Sequence, residues 1–209
     1  MAAETRDPGR KSVFREYAEA IIIALILALF IRTFVVQAFK IPSGSMEPTL
    51  LVGDHLLVSK FIYGIRNPLS GEVWVSLGEP ERFDVVVFKY PQKPSQDYIK
   101  RVIGLPGETV EIRDKTVYID GQVMEDPQAV FLDDEIYPAS RQPRDNFGPV
   151  TVGPDQLFVL GDNRDNSHDG RFWGMVETRA LKGKAFVLYW SWDSENTSLR
   201  WSRLGQRIN

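Results

Sequence analysis

The sequence predicts a mainly β fold carried on an N-terminal membrane-spanning helix. Three observations carry that expectation. Residues 20–31, "AIIIALILALFI", form an uninterrupted apolar run. Beyond residue 38 the periodicity changes to short alternating runs of β-branched and aromatic residues, bounded by Gly, Pro, Asp and Asn. With 209 residues, 43% of them hydrophobic, the chain has enough apolar material for one sizeable core plus an appendage.

The anchor comes first in the chain. A helix over 17–36 would be about 30 Å long at roughly 1.5 Å per residue, enough for a bilayer core. Arg32 lies about one turn from its end, where a long side chain can snorkel to the headgroups. Arg6, Arg10, Lys11 and Arg15 precede it and favour a cytoplasmic N-terminus, although interleaved acids make the region nearly neutral. The expected organisation is a short cytoplasmic N-terminus (1–16), a transmembrane anchor (17–37) and an extracytoplasmic β-rich domain (38–209). Two other readings compete. A buried core helix is disfavoured because the segment is apolar on every side. A cleavable signal peptide fits the length of the apolar run, and Val36-Gln37-Ala38 loosely resembles a small-residue cleavage site. Arg32 and the functional-looking loop a few residues later weigh against removal.

Strands are expected in "DHLLVSKFIY" (54–63), "FDVVVFKY" (83–90), "DYIKRVIG" (97–104), "ETVEIRD" (108–114), "TVYIDGQVM" (116–124), "DQLFVLGD" (155–162) and "KAFVLYWSW" (184–192). Within "YIDGQV", Asp120-Gly121 suits a type I′ hairpin turn. Residues 124–147 carry acids early, arginines late and little alternation, so they read as an excursion on the domain surface. Trp190 and Trp192 alternate onto one face, which suits either the core or a membrane-facing rim.

Composition excludes several functions. The net charge of −3 and the lack of a basic stripe give no footprint for nucleic acid. There is no cysteine, hence no disulfide framework, no thiolate nucleophile and no cysteine-ligated zinc ribbon. No metal or other cofactor is expected.

The chemistry centres on "KIPSGSMEPTLLVGD" (40–54), which leaves the apolar helix with two serines and a glycine held between Pro42 and Pro48. Prolines stiffen the chain and remove N–H donors, and Gly44 admits close backbone approach. The segment looks built to present a hydroxyl, although an ordinary polar loop has the same composition. A serine hydroxyl is a weak nucleophile until a base removes its proton. His168 beside Asp169, with Ser167 next to it, invites comparison with a Ser-His-Asp arrangement, but neighbours on an extended chain point to opposite sides. The other candidate base is Lys100, in an apolar run with Tyr98, Ile99, Val102 and Ile103. Lysine in a β-run is more often an edge residue facing solvent. To act as a base it must be desolvated, because an ordinary ammonium stays protonated at neutral pH. Both assignments stand on the residues alone.

Four blocks in order after the span, "PSGSMEPTLLVGD", "FDVVVFKYP", "DYIKRVIGLPGE" and "GDNRDNSHDGRFWG", resemble the signature blocks of the bacterial type I signal peptidase (leader peptidase) family. These are membrane-bound Ser-Lys endopeptidases. The resemblance runs from the anchor to near the C-terminus and is weakest over 124–147. It implies a signal-peptidase-type β domain that cleaves signal peptides after Ala-X-Ala sites. Ser45 is then the nucleophile and Lys100 the general base. Ser43 and the Ser45 backbone N–H form the oxyanion hole, and Ser167 orients the lysine. Arg101 with Asp162, and Asp169 with Arg171, support the site. Phe39, Ile41, Pro42, Met46, Leu50, Val87, Tyr98 and Ile99 bind substrate. The implied partners are exported preproteins, membrane lipid and the export machinery beside which such an enzyme works, at the cytoplasmic membrane. Two positions depart from the family pattern: Phe83, where glycine is usual, and His168.

Overall fold

The computed structural model describes residues 13–66 and 73–209. Of the basic residues ahead of the span, Arg6, Arg10 and Lys11 lie outside the described residues.

The first helix, α1 (Val13–Phe30), contains no buried residue, which separates it from a core helix of the globular part. It continues through a π-helical turn, Ile31–Val35, and the whole segment Val13–Val35 is long and apolar enough to cross a membrane. The chain then passes directly into β1 (Val36–Lys40). Val36 and Gln37, at the end of the expected span, are thus strand residues, paired with Ser59 and Val58. A cut after Ala38 would remove more than half of β1.

The remaining strands follow in order: β2 (Asp54–Ser59), β3 (Ile65–Arg66), β4 (Val73–Val75), β5 (Val85–Lys89), β6 (Asp97–Gly104), β7 (Thr109–Arg113), β8 (Thr116–Ile119), β9 (Gln122–Val123), β10 (Phe147–Thr151) and β11 (Gln156–Leu160). A one-turn helix α2 (Gly170–Trp173) precedes β12 (Val176–Glu177), β13 (Leu181–Asp193) and β14 (Ser198–Leu199). The main sheet is antiparallel in the order β1-β2-β13-β5-β6-β11-β12, with β14 on β13. A smaller sheet runs β10-β7-β8-β9, and β3 pairs with β4 alone.

Alternation explains why β5 reads as continuous Val-Val-Val-Phe. Val85 and Val87 enter one cluster with Ile41, Met46, Leu50, Leu56 and Val58, while Val86 and Phe88 enter another with Val102, Leu157 and Val159. A strand covered on both faces needs apolar side chains in both registers. Each fully buried aliphatic side chain contributes about 1.5–3 kcal/mol. The third cluster joins the two larger sheets through Ile103, Phe158 and Leu160 against Val110, Ile112 and Val117.

The Asp120-Gly121 turn forms as expected, with φ values of 50° and 77°. The turn between β7 and β8 was not foreseen. Asp114 and Lys115 take φ values of 45° and 69° without a glycine. Their N–H groups donate to the Asn146 side chain (3.1 Å) and the Asp145 carbonyl (2.9 Å), so residues of the excursion hold this turn. Half of the excursion's residues are exposed, yet Arg144 and Asp145 within it are buried. Trp190 and Trp192 are 42% and 38% exposed, so neither belongs to the core. Register shifts in β13 at 185–187 and 188–190 break its alternation and turn Tyr189 and Trp190 outward together.

Candidate active site

The loop between β1 and β2 is closed at its base. Ile41 N–H donates to Asp54 O (2.8 Å) and Gly53 N–H to Ile41 O (3.1 Å). The buried Asp54 carboxylate accepts from Leu51 N–H (2.8 Å), Ser191 Oγ (2.6 Å) and Arg203 Nη2 (2.6 Å). Within the loop, Ser43 is extended and a 3-10 turn, Gly44–Met46, follows. Met46 and Leu50 are fully buried plugs, and Leu50 N–H donates to Met46 O (2.8 Å). The serine ahead of the first plug is thereby fixed at the surface of the core.

Ser45, 9% exposed, meets Lys100 there. Lys100 Nζ lies 2.6 Å from Ser45 Oγ and 3.0 Å from the Ile99 carbonyl oxygen. β6 is an interior strand between β5 and β11, so its lysine has no solvent edge to face and is only 4% exposed. Burial is the main cause that lowers its pKa to about 8, and nearby Arg171 adds to it, against the pull of Asp169 and Asp162.

Alternation along β6 sends the next residue, Arg101, to the opposite side. It is wholly buried and all five guanidinium hydrogens find acceptors. Nε and Nη2 donate to Asp162 (2.8 and 2.7 Å), Nη1 to Phe83 O and Asn209 O (2.8 Å each), and Nη2 also to Thr49 Oγ1 (3.4 Å). Phe83 has a φ of 72°, a left-handed conformation in which glycine is at ease and an aromatic residue is not. Its carbonyl bond to Arg101, its N–H bond to Val102 O (2.8 Å) and its packing on the third cluster hold it there.

The segment after β11 forms the facing wall. Asn163 donates through its N–H to Ser45 O (3.2 Å) and through Nδ2 to Gly44 O (3.4 Å). Gly161 has no room for a side chain: a Cβ there would lie 2.2 Å from Ser167 Oγ and 2.4 Å from Ser45 O. Asp169 accepts from Gly161 N–H (3.0 Å) and from Arg171 Nε and Nη2 (2.8 Å each). Burial pushes the Asp169 carboxyl upward, but Arg171 and the bonds it accepts hold it below the ordinary carboxylate range.

A cavity of about 770 Å³ opens over the pair, lined by Pro42, Ser43, Ser45, Tyr98, Ile99, Lys100 and Ser167 among the expected site residues. Ser43 is exposed on its rim. Ser167 is buried in its lining, close enough to Asp169 to favour that charge, but its hydroxyl makes no hydrogen bond to Lys100. Ile41, Met46, Leu50 and Val87 do not open into the cavity. They form its closed floor at 0–2% exposure, with Phe39 half-buried against them. The lining also includes His168, the base of the alternative triad, and Gln96, Asp97, Asp165, Asn166 and Phe172, which were not expected as site residues. Four of these six fall in the block 161–174, so that block carried the signal. His168 is exposed, stacks on Phe172 at 5.1 Å, and makes no hydrogen bond to Ser45 or Ser167. Asp169 is committed to Arg171, so the Ser-His-Asp alternative is not assembled.

A sequence model described as "Signal peptidase, peptidase S26" matches residues 14–190. The signal peptidase I of Pseudomonas aeruginosa is 38% identical, over 94% of this chain and 80% of its own. That of Leptolyngbya laminosa is 42% identical, over 88% of this chain and 83% of its own. A crystal structure of a signal peptidase I from Enterococcus faecalis V583 is 35% identical and aligns with 51% of this chain and 97% of its own, at a TM-score of 0.41. An apolar helix feeding a β domain, with relatives of this kind, defines a membrane-anchored peptidase. The chain belongs to the signal peptidase family, peptidase S26.

The lowered Lys100 pKa has a consequence for stability. The folded amine binds its proton less tightly than the unfolded one, so charge on Lys100 opposes folding below about pH 8. The opposition fades as the pH rises from there through the unfolded value near 10.5. Lys100→Met, similar in length and uncharged, should therefore stabilise the protein by about 3 kcal/mol at pH 6 and by little above pH 10.5. Denaturant titrations in detergent at both pH values check this, and equal stability of the two proteins at pH 6 would contradict the burial cost.

Proposed function

We propose that this protein cleaves signal peptides from exported preproteins, with Ser45 as nucleophile and Lys100 as general base. The observation that carries the reading is the 2.6 Å contact between Lys100 Nζ and Ser45 Oγ, two residues only 4% and 9% exposed. The neutral amine takes the Ser45 hydroxyl proton while Oγ attacks the scissile carbonyl carbon. The oxyanion is stabilised by the Ser45 backbone N–H and the Ser43 hydroxyl. The ammonium then protonates the leaving amine, which departs as the mature N-terminus. Water, deprotonated by the same amine, hydrolyses the ester and frees Ser45. Arg101 with Asp162 and Asp169 with Arg171 brace this arrangement, and Ser167 moves to hold the amine once substrate is bound.

Specificity follows from the closed floor. Ile41, Met46, Leu50 and Val87 leave little volume beside Ser45, while Phe39, Pro42, Tyr98 and Ile99 offer apolar contact along the groove. An extended substrate directs its residues one and three before the scissile bond to the same side. Both should be small, as in Ala-X-Ala.

The anchor keeps the active site at the membrane, in contact with lipid and beside the export machinery. The N-terminus faces the cytoplasm and 38–209 the opposite side. Protease added outside intact spheroplasts should digest the catalytic domain, and full protection of that domain would reverse the topology.

Ser45→Ala and Lys100→Ala should each abolish cleavage of a preprotein by the purified protein in detergent. Cleavage surviving in both would remove the pair from consideration. Because only the neutral amine accepts a proton, kcat should rise with pH through an apparent pKa of about 8 and level off above it. Lys100→Arg should be inactive at every pH, since a guanidinium stays charged. Replacing Ala by Leu just before the cut should lower kcat/KM about 5- to 150-fold, the effect of overfilling a packed pocket. Equal processing of the two preproteins would sink the closed-floor account.

A further inference from the structure

The excursion at 124–147 has no part in the chemistry above, yet it holds two buried charges of the catalytic wall. The first is Arg164, whose guanidinium forms an ion pair with Asp126. The two side chains are 4% and 3% exposed. The backbone follows the same path: Val130 N–H donates to Asp162 O and Arg164 N–H to Val130 O, both at 2.8 Å. The second is Asp165, whose carboxylate accepts from Leu132 N–H (2.7 Å), Asp133 N–H (3.1 Å) and Lys115 Nζ (3.1 Å). Lys115 belongs to the β7–β8 turn that Asp145 and Asn146 hold in its left-handed conformation. Arg144 closes the network through Asp133 (2.8 Å) and Asp145 (2.9 Å), and its carbonyl accepts from Arg171 Nη1 (2.5 Å).

The wall segment 161–167 therefore lies between two sets of bonds. On one side Asn163 meets the carbonyls of Gly44 and Ser45, and on the other Arg164 and Asp165 are fastened to the excursion. We propose that the excursion is a strap, and that Asp126 and Lys115 are positioning residues which press the wall against the Ser45 turn and keep water from Lys100. Neither residue lines the cavity, so neither acts on substrate directly. The inference rests on the Ser45–Lys100 reading.

Two physical arguments favour positioning over mere stability. Buried ion pairs add little to stability compared with apolar residues of the same size, so the network is a poor device for holding the fold alone. The wall also has no slack, since a Cβ at Gly161 would lie only 2.4 Å from Ser45 O and 2.2 Å from Ser167 Oγ. A displacement of about 1 Å at the reacting groups can cost on the order of 100-fold in rate.

The test uses the full chain in detergent with an Ala-X-Ala preprotein, comparing Asp126→Asn, Lys115→Met and Lys115→Arg. The folded fraction is measured for each by circular dichroism. Per folded molecule, the first two variants should lose about 10- to 100-fold in kcat with little change in KM. The midpoint of the rising pH limb should move upward from about 8, because a loosened wall admits water to the amine. The charged groups that bear on Lys100, namely Asp169, Asp162 and Arg171, remain in every variant. Lys115→Arg, which keeps the charge, should restore kcat. Should Asp126→Asn not fold, Lys115→Met decides, as its site is less enclosed, at 11% exposure. Unchanged kcat and pH midpoint, with only a lowered unfolding transition, would overturn the strap. Cleavage by Ser45→Ala would overturn the strap and the dyad together, whereas strict dependence on Ser45 with an indifferent strap would leave the dyad standing.

Discussion

Burying an amine is the constraint on which the rest of this structure depends. A lysine gives up its proton near neutral pH only if water is kept from it, and a desolvated ammonium is costly. Lys100 meets that requirement by sitting in the middle of an interior strand, with Ser45 and the Ile99 carbonyl as its hydrogen-bond partners. The loop over it must be rigid, which explains why Asp54 ties the loop's base to β13 and to Arg203. The floor must be dry, which explains Met46, Leu50 and Val87 at no more than 1% exposure. Membership of the signal peptidase family and the physical layout of the site thus point the same way.

Around that amine the protein keeps an unusual number of other charges inside. Arg101, Asp162, Arg164, Asp169 and Arg171 are each nearly or wholly buried. Removing one member of such a pair strands the other and costs about 3–5 kcal/mol, although the intact pair gives little net stability. Their value is geometric. A bidentate guanidinium fixes both distance and angle, as Arg101 does with Asp162, and its remaining bonds tie β6 to Phe83, Asn209 and the Thr49 loop.

Much of this was legible in the sequence where local pattern and environment agree. β5 to β8 and β11 announce themselves by β-branched runs, and Asp120-Gly121 by turn chemistry. β1 was hidden because Val36 to Lys40 continues the apolar character of the helix, so hydropathy gives no boundary there. β10 was hidden in a stretch whose Gly148 and Pro149 argue against a strand. The Asp114-Lys115 turn lacks glycine, and its conformation is held by Asp145 and Asn146, about thirty residues away along the chain. At the site, periodicity left Lys100 ambiguous. What distinguishes it from an edge lysine is the position of β6 in the sheet, a non-local fact. The resemblance to the signal peptidase blocks supplied what periodicity could not.

The direct passage of the helix into β1 sets a ruler. Between Val35, the last residue of the span, and Ser45 there are ten residue steps, five of them in β1. An extended chain covers at most about 3.3–3.6 Å per residue, so the Ser45 hydroxyl can stand no more than about 35 Å from the end of the span. Because Lys60 N–H also donates to Val35 O (2.9 Å), the sheet begins where the helix stops, with no hinge of free chain to lengthen the tether. With Ser45 as the proposed nucleophile, a peptide bond that emerges far from the bilayer would be out of range however well its side chains would fit. On that reading, distance from the membrane becomes a selection filter of its own, set by the length of one short strand.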